Sequence, residues 1–428
     1  FMRNGRLQIE EPGMMYAPMA AVSLEPEAVD VHVKIVLVAS GDEYYAVQEA
    51  DPEFVRRFRC KVDFAESFLA TTESAHATAI FVGHTCHRMN LPHFSAAAVA
   101  ALIEETHREA DDQHRQSAIF ALTEALVIES AALARQQGHL LVDAKEVCAA
   151  RQARICRHND LEQRLQETLV DGERLLGVSG ERVAQINGLT VVDLGDYRFG
   201  FPVKVTACTH AGEEGLLNIE QEVEMSGPIH DKGVLILHSY LSSLFAHIAP
   251  LAMNAAVVFE QEYSGVEGDS ASCAEFYALL SSLSGVPLRQ GIAVTGALNQ
   301  HGELLPVGGI NEKIEGYFRS CENLGLDGHQ GVLMPSRNRR HLMLDERVVK
   351  AVADGRFHIY MADTAGEGLV LLTGVCFGVL GSVGYEPDSV LGRAQKTLLR
   401  FRHACEHLGK KPSTMPNLMR HLRHNIFR

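Results

Sequence analysis

The sequence predicts an α+β fold with a helical subdomain ahead of it. Three observations carry this. Residues 94–165 read as one capped helix after another. From about residue 180 the texture changes to short alternating runs between glycine-marked turns, the pattern of β-hairpins. Beyond these, apolar β-branched runs alternate with amphipathic helices, which mixes strands with helices.

Taken in order, "VHVKIVLVAS", residues 31–40, is a β-branched apolar run and predicts a buried strand. "GDEYYAVQEADPEFVRRFRCKVDF" predicts a turn, a short helix and a second strand. "SAAAVAALIEETHREA" begins at a serine cap, Ser95. "SAIFALTEALVIESAALARQQG" ends at a glycine, and Asp143 caps the helix that follows. After the hairpins, "KGVLILHSYLSSLFAHIAP" predicts a helix and "NAAVVFEQEYSG" a strand. A helix from about 271 comes next, then strands "GIAVTGAL" and "LLPVGG" around the turn "NQHGE". "INEKIEGYFRSCENLGL" predicts a helix, and "GVLMPS" and "FHIYMA" predict strands. The divisions are a small α/β piece over 1–93, a helical subdomain over 94–179, an α+β domain over 180–374 and a C-terminal extension over 375–428. From Arg393 to Arg428 that extension has nine Lys/Arg against a lone Glu406. It reads as a solvated helix packing on its own acidic protein, with an acidic partner or nucleic acid as the other reading.

A length of 428 residues implies two or three domains, and 46% hydrophobic residues suffice for large cores. A formal net charge of −15 argues against general affinity for nucleic acid or anionic membranes. No apolar stretch is long enough to span a bilayer, and no signal-peptide pattern opens the chain. Nine scattered cysteines without a CxxC pair fit a reducing cytosol, so the expected location is cytoplasmic. The chain opens at Phe1, so a processed start or further upstream sequence is expected.

Chemistry concentrates in "EGDSASCAEFYALLSSLSG", residues 267–285. Ser270, Ser272 and Cys273 stand directly ahead of a helix. Ala274, Tyr277, Leu280 and Leu283 would mark that helix's buried face. Ser270 at the N-cap would meet free backbone N–H groups and the positive end of the helix dipole, a place suited to an oxyanion. Read alone, the block also fits plain capping, and Ser272 with Glu275 spells a capping box. Cys273 is a competing nucleophile, but the block holds no histidine to activate it.

A proton acceptor is offered by "GELLPVGGINEKIEGYFRSCENLG", residues 302–325. Ile310, Ile314, Tyr317, Phe318 and Cys321 form the apolar stripe of a helix, with Lys313 in its first turn. An intrahelical ion pair is the ordinary role for such a lysine. The positions three and four away are Gly309, Ile310, Gly316 and Tyr317, which offer no carboxylate. The dipole and partial burial both favour the neutral amine, which can act as a general base for a serine.

Together the two blocks resemble the proteolytic domain of the Lon protease family. "EGDSAS" is similar to the nucleophile motif of its archaeal-type (B-type) branch, and "VPLRQGIAVTGALNQHGELLPVGGINEK" to the stretch with the catalytic lysine. The resemblance spans roughly 180–374. It implies Ser270 as nucleophile, Lys313 as general base and Thr295 as a support for the lysine. Glu267 and Glu262 match two acidic positions near the dyad. It further implies a ribosomal-protein-S5-domain-2-like fold, unfolded or damaged proteins as substrates, and a homohexameric ring. Residues 31–64 resemble the last strands of an AAA+ nucleotide-binding core, and 94–165 the AAA+ lid. Arg56 or Arg57 reads either as an arginine finger or as a solvated basic pair. No G-x-x-x-x-G-K-[ST] loop occurs. No cofactor is therefore expected on this chain, and ATP with Mg²⁺ only in a longer one.

Two His/Cys clusters, His84, Cys86 and His87, and His403, Cys405 and His407, fall short of a four-ligand zinc set, so no metal is expected. The expected function is that of a serine endopeptidase coupled to an AAA+ ATPase that is incomplete here. The alternatives are a non-proteolytic unfoldase or adaptor on the same ring scaffold, and a Ser-Lys amidase of small molecules.

Overall fold

The computed structural model describes residues 6–7, 27–263 and 265–409. The chain divides into two compact units, Phe1–Ala65 and Glu66–Arg428.

In the first unit Arg6–Leu7 pairs antiparallel with Val29–Asp30. Helices α1 (Gly41–Ala50) and α2 (Phe54–Arg57) follow, the first capped by Ser40 and Glu43 in a capping box. The strand expected over 31–40 does not form, nor does the second one before Phe64. A β-branched run becomes a strand only where a neighbour completes its ladder. Here Val36 and Val38 stay exposed instead. Arg56 pairs with Glu53 and Arg57 with Asp51 on the surface.

The second unit opens with helices α3 (Thr72–Arg88), α4 (Ala96–Glu109), α5 (Phe120–Gln136), α6 (Ala144–His158) and α7 (Asp160–Val170). Ser95 caps α4 through the Ala98 N–H, and Asp143 caps α6 in a box with Glu146, as the sequence predicts. Val82, Leu102, Leu126, Val127 and Val147 bury a shared core. Cys86 of the first His/Cys cluster lies in it. Cys405 of the second sits on the last helix, and the His407 side chain lies outside the described residues.

Seven strands then build one mixed sheet: β1 (Gln185–Asp193), β2 (Arg198–Ala211), β3 (Gly215–Asn218), β4 (Met253–Glu260), β5 (Ile292–Val294), β6 (Gly331–Pro335) and β7 (His358–Ala362). Their spatial order is β3-β4-β2-β1-β5-β6-β7. The β1-β2 and β2-β4 ladders are antiparallel; the rest are parallel. Between strands come α8 (Ile219–Glu222), α9 (Pro228–Leu244), α10 (Ser272–Ser284), α11 (Ile310–Leu324) and α12 (Glu346–Ala353), and after the last strand α13 (Ala365–Thr373) and α14 (Val390–Gly409).

The alternation of β5 shows how the layers lie. Ile292 and Val294 pack with Phe276, Leu279 and Leu280 of α10. Ala293, between them, packs with Ile314, Tyr317 and Phe318 of α11. Helices α10 and α11 therefore cover opposite faces of the sheet. Val390, Leu391, Ala394 and Leu398 of α14 join the α10 core, with Phe401 packed against it, so the segment after 375 contributes to that core. Residues 410–428 of the basic tail lie outside the described residues.

Candidate active site

Ser270 and Lys313 reach each other from those two opposite layers. Lys313 Nζ lies 2.9 Å from Ser270 Oγ. They meet just past the C-terminal end of β5, where Thr295 Oγ1 lies 3.4 Å from the Ser270 carbonyl.

Ser270 is not the N-cap of α10. The helix starts at Ser272 with Ala271 as cap, and Ser270 stands in the turn before it. Tertiary bonds hold that turn. The Gly296 N–H donates to the Ser270 carbonyl at 2.8 Å, and the Cys273 N–H to the Gly296 carbonyl at 3.1 Å. These leave the Ser270 hydroxyl free to face the lysine. The capping box between Ser272 and Glu275 does not form either. The Ser272 hydroxyl donates to the Asp269 carbonyl, while Glu275 turns into the core, where burial and then Glu220 push its carboxyl up to about 8.

Lys313 is held from below by a close backbone approach. A Cβ on Gly200 of β2 would sit 2.6 Å from the Lys313 Cα, and one on Gly316 would overlap the Gly200 carbonyl. Two glycines let strand and helix touch there. The residue is 4% exposed. Burial lowers its amine to about 8, against the opposing pull of the Asp269 and Glu312 carboxylates. A fraction of the amine is therefore neutral near neutral pH, and a neutral amine can take a proton from a serine hydroxyl.

Thr295 is fully buried, and its hydroxyl points to the Ser270 carbonyl at 3.4 Å. The resemblance implies a partner at the lysine; the bond drawn here is to the nucleophile turn. Glu267 and Glu262 both line the cleft that holds Ser270 and Lys313, a space of ≈ 230 Å³. Glu267 is exposed, with its carboxylate against Gly227 at the start of α9. Glu262 stands two residues past the end of β4. Cys273 is buried against Gly296, where desolvation pushes its thiol far up, which suits packing better than attack.

The cleft also exposes a strand edge. β1 pairs with β5 only at Asn187 and Gly188, so its Leu189–Asp193 stretch has no ladder partner on that side among the described residues. Sequence reasoning misses this edge, as it misses Asp269 and Arg198. Asp269 lies inside the quoted block but fits no helical pattern. Arg198 sits over 100 residues from the lysine and is brought there only by the sheet.

Three family models match the chain. "LonB-like, AAA domain" matches residues 1–65, "Archaeal LonB, AAA+ ATPase LID domain" residues 93–157, and "Lon protease (S16) C-terminal proteolytic domain" residues 264–369. The last span holds Glu267, Ser270, Thr295 and Lys313. Among curated proteins, the chain is similar to a putative Lon protease homolog of Escherichia coli strain K12, 34% identical over 349 residues, 79% of this chain and 58% of that one. A putative Lon protease homolog of Haemophilus influenzae is 36% identical over 225 residues, 52% of this chain and 37% of that one. The archaeal Lon protease of Thermoplasma volcanium is 26% identical over 347 residues, 78% of this chain and 50% of that one. The chain thus spans about half the length of the curated relatives it matches.

Proposed function

We propose, from the premise that this chain belongs to the Lon protease family, that it is a serine endopeptidase acting on unfolded or damaged polypeptides. The observation that carries the reading is the 2.9 Å approach of a buried, neutralisable lysine to a serine in an open cleft. Ser270 attacks the scissile carbonyl as Lys313 takes its proton. The protonated lysine then donates to the leaving amine, which departs and leaves an acyl-enzyme. Water, deprotonated by the same amine, releases the acyl group. Glu267, Glu262 and Thr295 shape the surroundings of the dyad.

The unpaired edge of β1 favours a polypeptide over a small amide. An extended chain can add to Leu189–Asp193 as a further strand, with backbone hydrogen bonds that tolerate many sequences. An amidase of small molecules would call for an enclosed pocket. A non-proteolytic adaptor on the same scaffold would call for a lost dyad member, and both residues are present. The proposal includes an S5-domain-2-like protease fold, a homohexameric ring that hides the serines from folded proteins, and work in the cytoplasm. Cleavage would be coupled to an AAA+ ATPase. These 428 residues carry no Walker A loop, so no ATP or Mg²⁺ site is proposed on them.

The test is cleavage of casein and of a fluorogenic peptide. Ser270→Ala and Lys313→Ala should each abolish activity with the fold retained, and the double variant should be little worse, since the pair acts as a unit. Wild-type activity in Ser270→Ala would overturn the assignment.

A further inference from the structure

The helical subdomain grips the one helix that carries Lys313. Asn311, Glu315 and Arg319 are spaced four apart along α11, so they share one face. Each is bonded to the subdomain. Asn311 Nδ2 donates to Asp111 Oδ1 at 3.2 Å. Both terminal nitrogens of the Arg108 guanidinium donate to the Glu315 carboxylate, at 2.6 and 2.7 Å, and one of them also to the Met343 carbonyl at 2.8 Å. Arg319 pairs with Glu162 at 2.5 Å. Asn311 is itself buried and bonded to the Met343 N–H and the His341 carbonyl, so it passes the contact into the protease body.

A charge relay runs beside this grip. Arg198 of β2 pairs with Glu312 at 3.1 Å and with Asp111 at 3.6 Å. Glu312 adjoins Lys313, and one oxygen of its carboxylate is buried without a hydrogen bond. Asp111 is held at φ 48°, a left-handed backbone uncommon outside glycine, asparagine and aspartate. That turn sits at the contact point of the subdomain.

We propose that Asp111 and Arg108 are positioning residues for the catalytic lysine. They act through Asn311, Glu315 and the Arg198–Glu312 pair, so the placement of the helical subdomain governs the base strength and position of Lys313. This rests on the reading of Lys313 as general base. The groups facing Lys313 are Asp269 from the nucleophile turn and Glu312 from its own helix; those facing Glu312 are Asp111, Arg108 and Arg198. Glu262, Glu267, Asp193 and Arg198 line the shared cleft. Asp111 shares Arg198 with Glu312. Removing the Asp111 charge leaves Arg198 wholly to Glu312, weakens the negative field at Lys313 and makes the amine easier to deprotonate. Removing Arg198 does the reverse.

The experiment is the pH dependence of kcat for peptide cleavage by the full chain. Asp111→Asn keeps a residue that tolerates the left-handed backbone and should move the rising limb to lower pH. Arg198→Gln should move it to higher pH, each by roughly half a unit or more. Arg108→Gln should lower kcat several-fold with KM little changed. Limbs that stay in place, or move the same way, overturn the proposal even where kcat falls, because a merely structural defect scales the rate without moving the limb. Lys313→Ala separates the two readings. An inactive Lys313→Ala beside unmoved limbs sinks only this inference, whereas an active one sinks the general base itself.

Discussion

Gly200 and Gly316 meet backbone to backbone where β2 crosses α11, so closely that neither has room for a methyl group. Lys313 stands one turn of helix before Gly316, and its own Cα borders the space beside Gly200. Two residues without reactive side chains thus fix how closely the Lys313 backbone approaches β2.

The first prediction concerns this contact. Gly316→Ala forces a Cβ into the Gly200 carbonyl, which is backbone and cannot swing aside. Overpacking of this kind typically costs about 1–3 kcal/mol. The variant should unfold at lower temperature and lose most peptidase activity, because α11 must shift and carry Lys313 from Ser270. Wild-type values in both thermal unfolding and peptide cleavage would show that the sheet yields freely there.

The pH profile follows from the buried amine. Burial favours neutral Lys313 and brings its pKa down to about 8. The neutral form is the active base, so the rate should climb as pH rises through about 8 and flatten above it. Below that the amine is protonated and cannot accept the serine proton. Lys313→Arg should be inactive across the range, since a guanidinium does not deprotonate. A flat profile from pH 6 to 9 would contradict a lysine base.

Cys273 gives a third test. Its sulfur fills the space beside Gly296 in a core where a thiolate is strongly disfavoured. Cys273→Ala should keep peptide cleavage and cost about 1 kcal/mol for the small cavity. A complete loss of activity in a folded Cys273→Ala protein would move the nucleophile to cysteine.

The candidate site residues were legible in the sequence. Ser270 and Lys313 stand in blocks whose local pattern is unusual: small polar residues crowded before an apolar helix, and a lysine in a first turn with no intrahelical partner. Most strands of the larger unit and its helices from 96 to 170 and from 272 and 310 were legible too, because periods of 3.6 and 2 are local properties of the chain, whereas α3, α12 and α13 were not read. The run over 31–40 marks the limit of that reasoning. Its residues favour a strand, yet a strand needs a neighbour to complete its ladder, and composition does not supply one. That Ser270 is held in a turn by Gly296 rather than at a helix cap came from the tertiary structure. It alone decided that Glu275 is buried, and that Asp111, Arg198 and Glu312 converge beside the lysine. Those outcomes depend on contacts between residues distant in sequence. Their energy comes from burial and from charges brought close in a low-dielectric interior, and neither exists until the sheet and its two helical layers have closed.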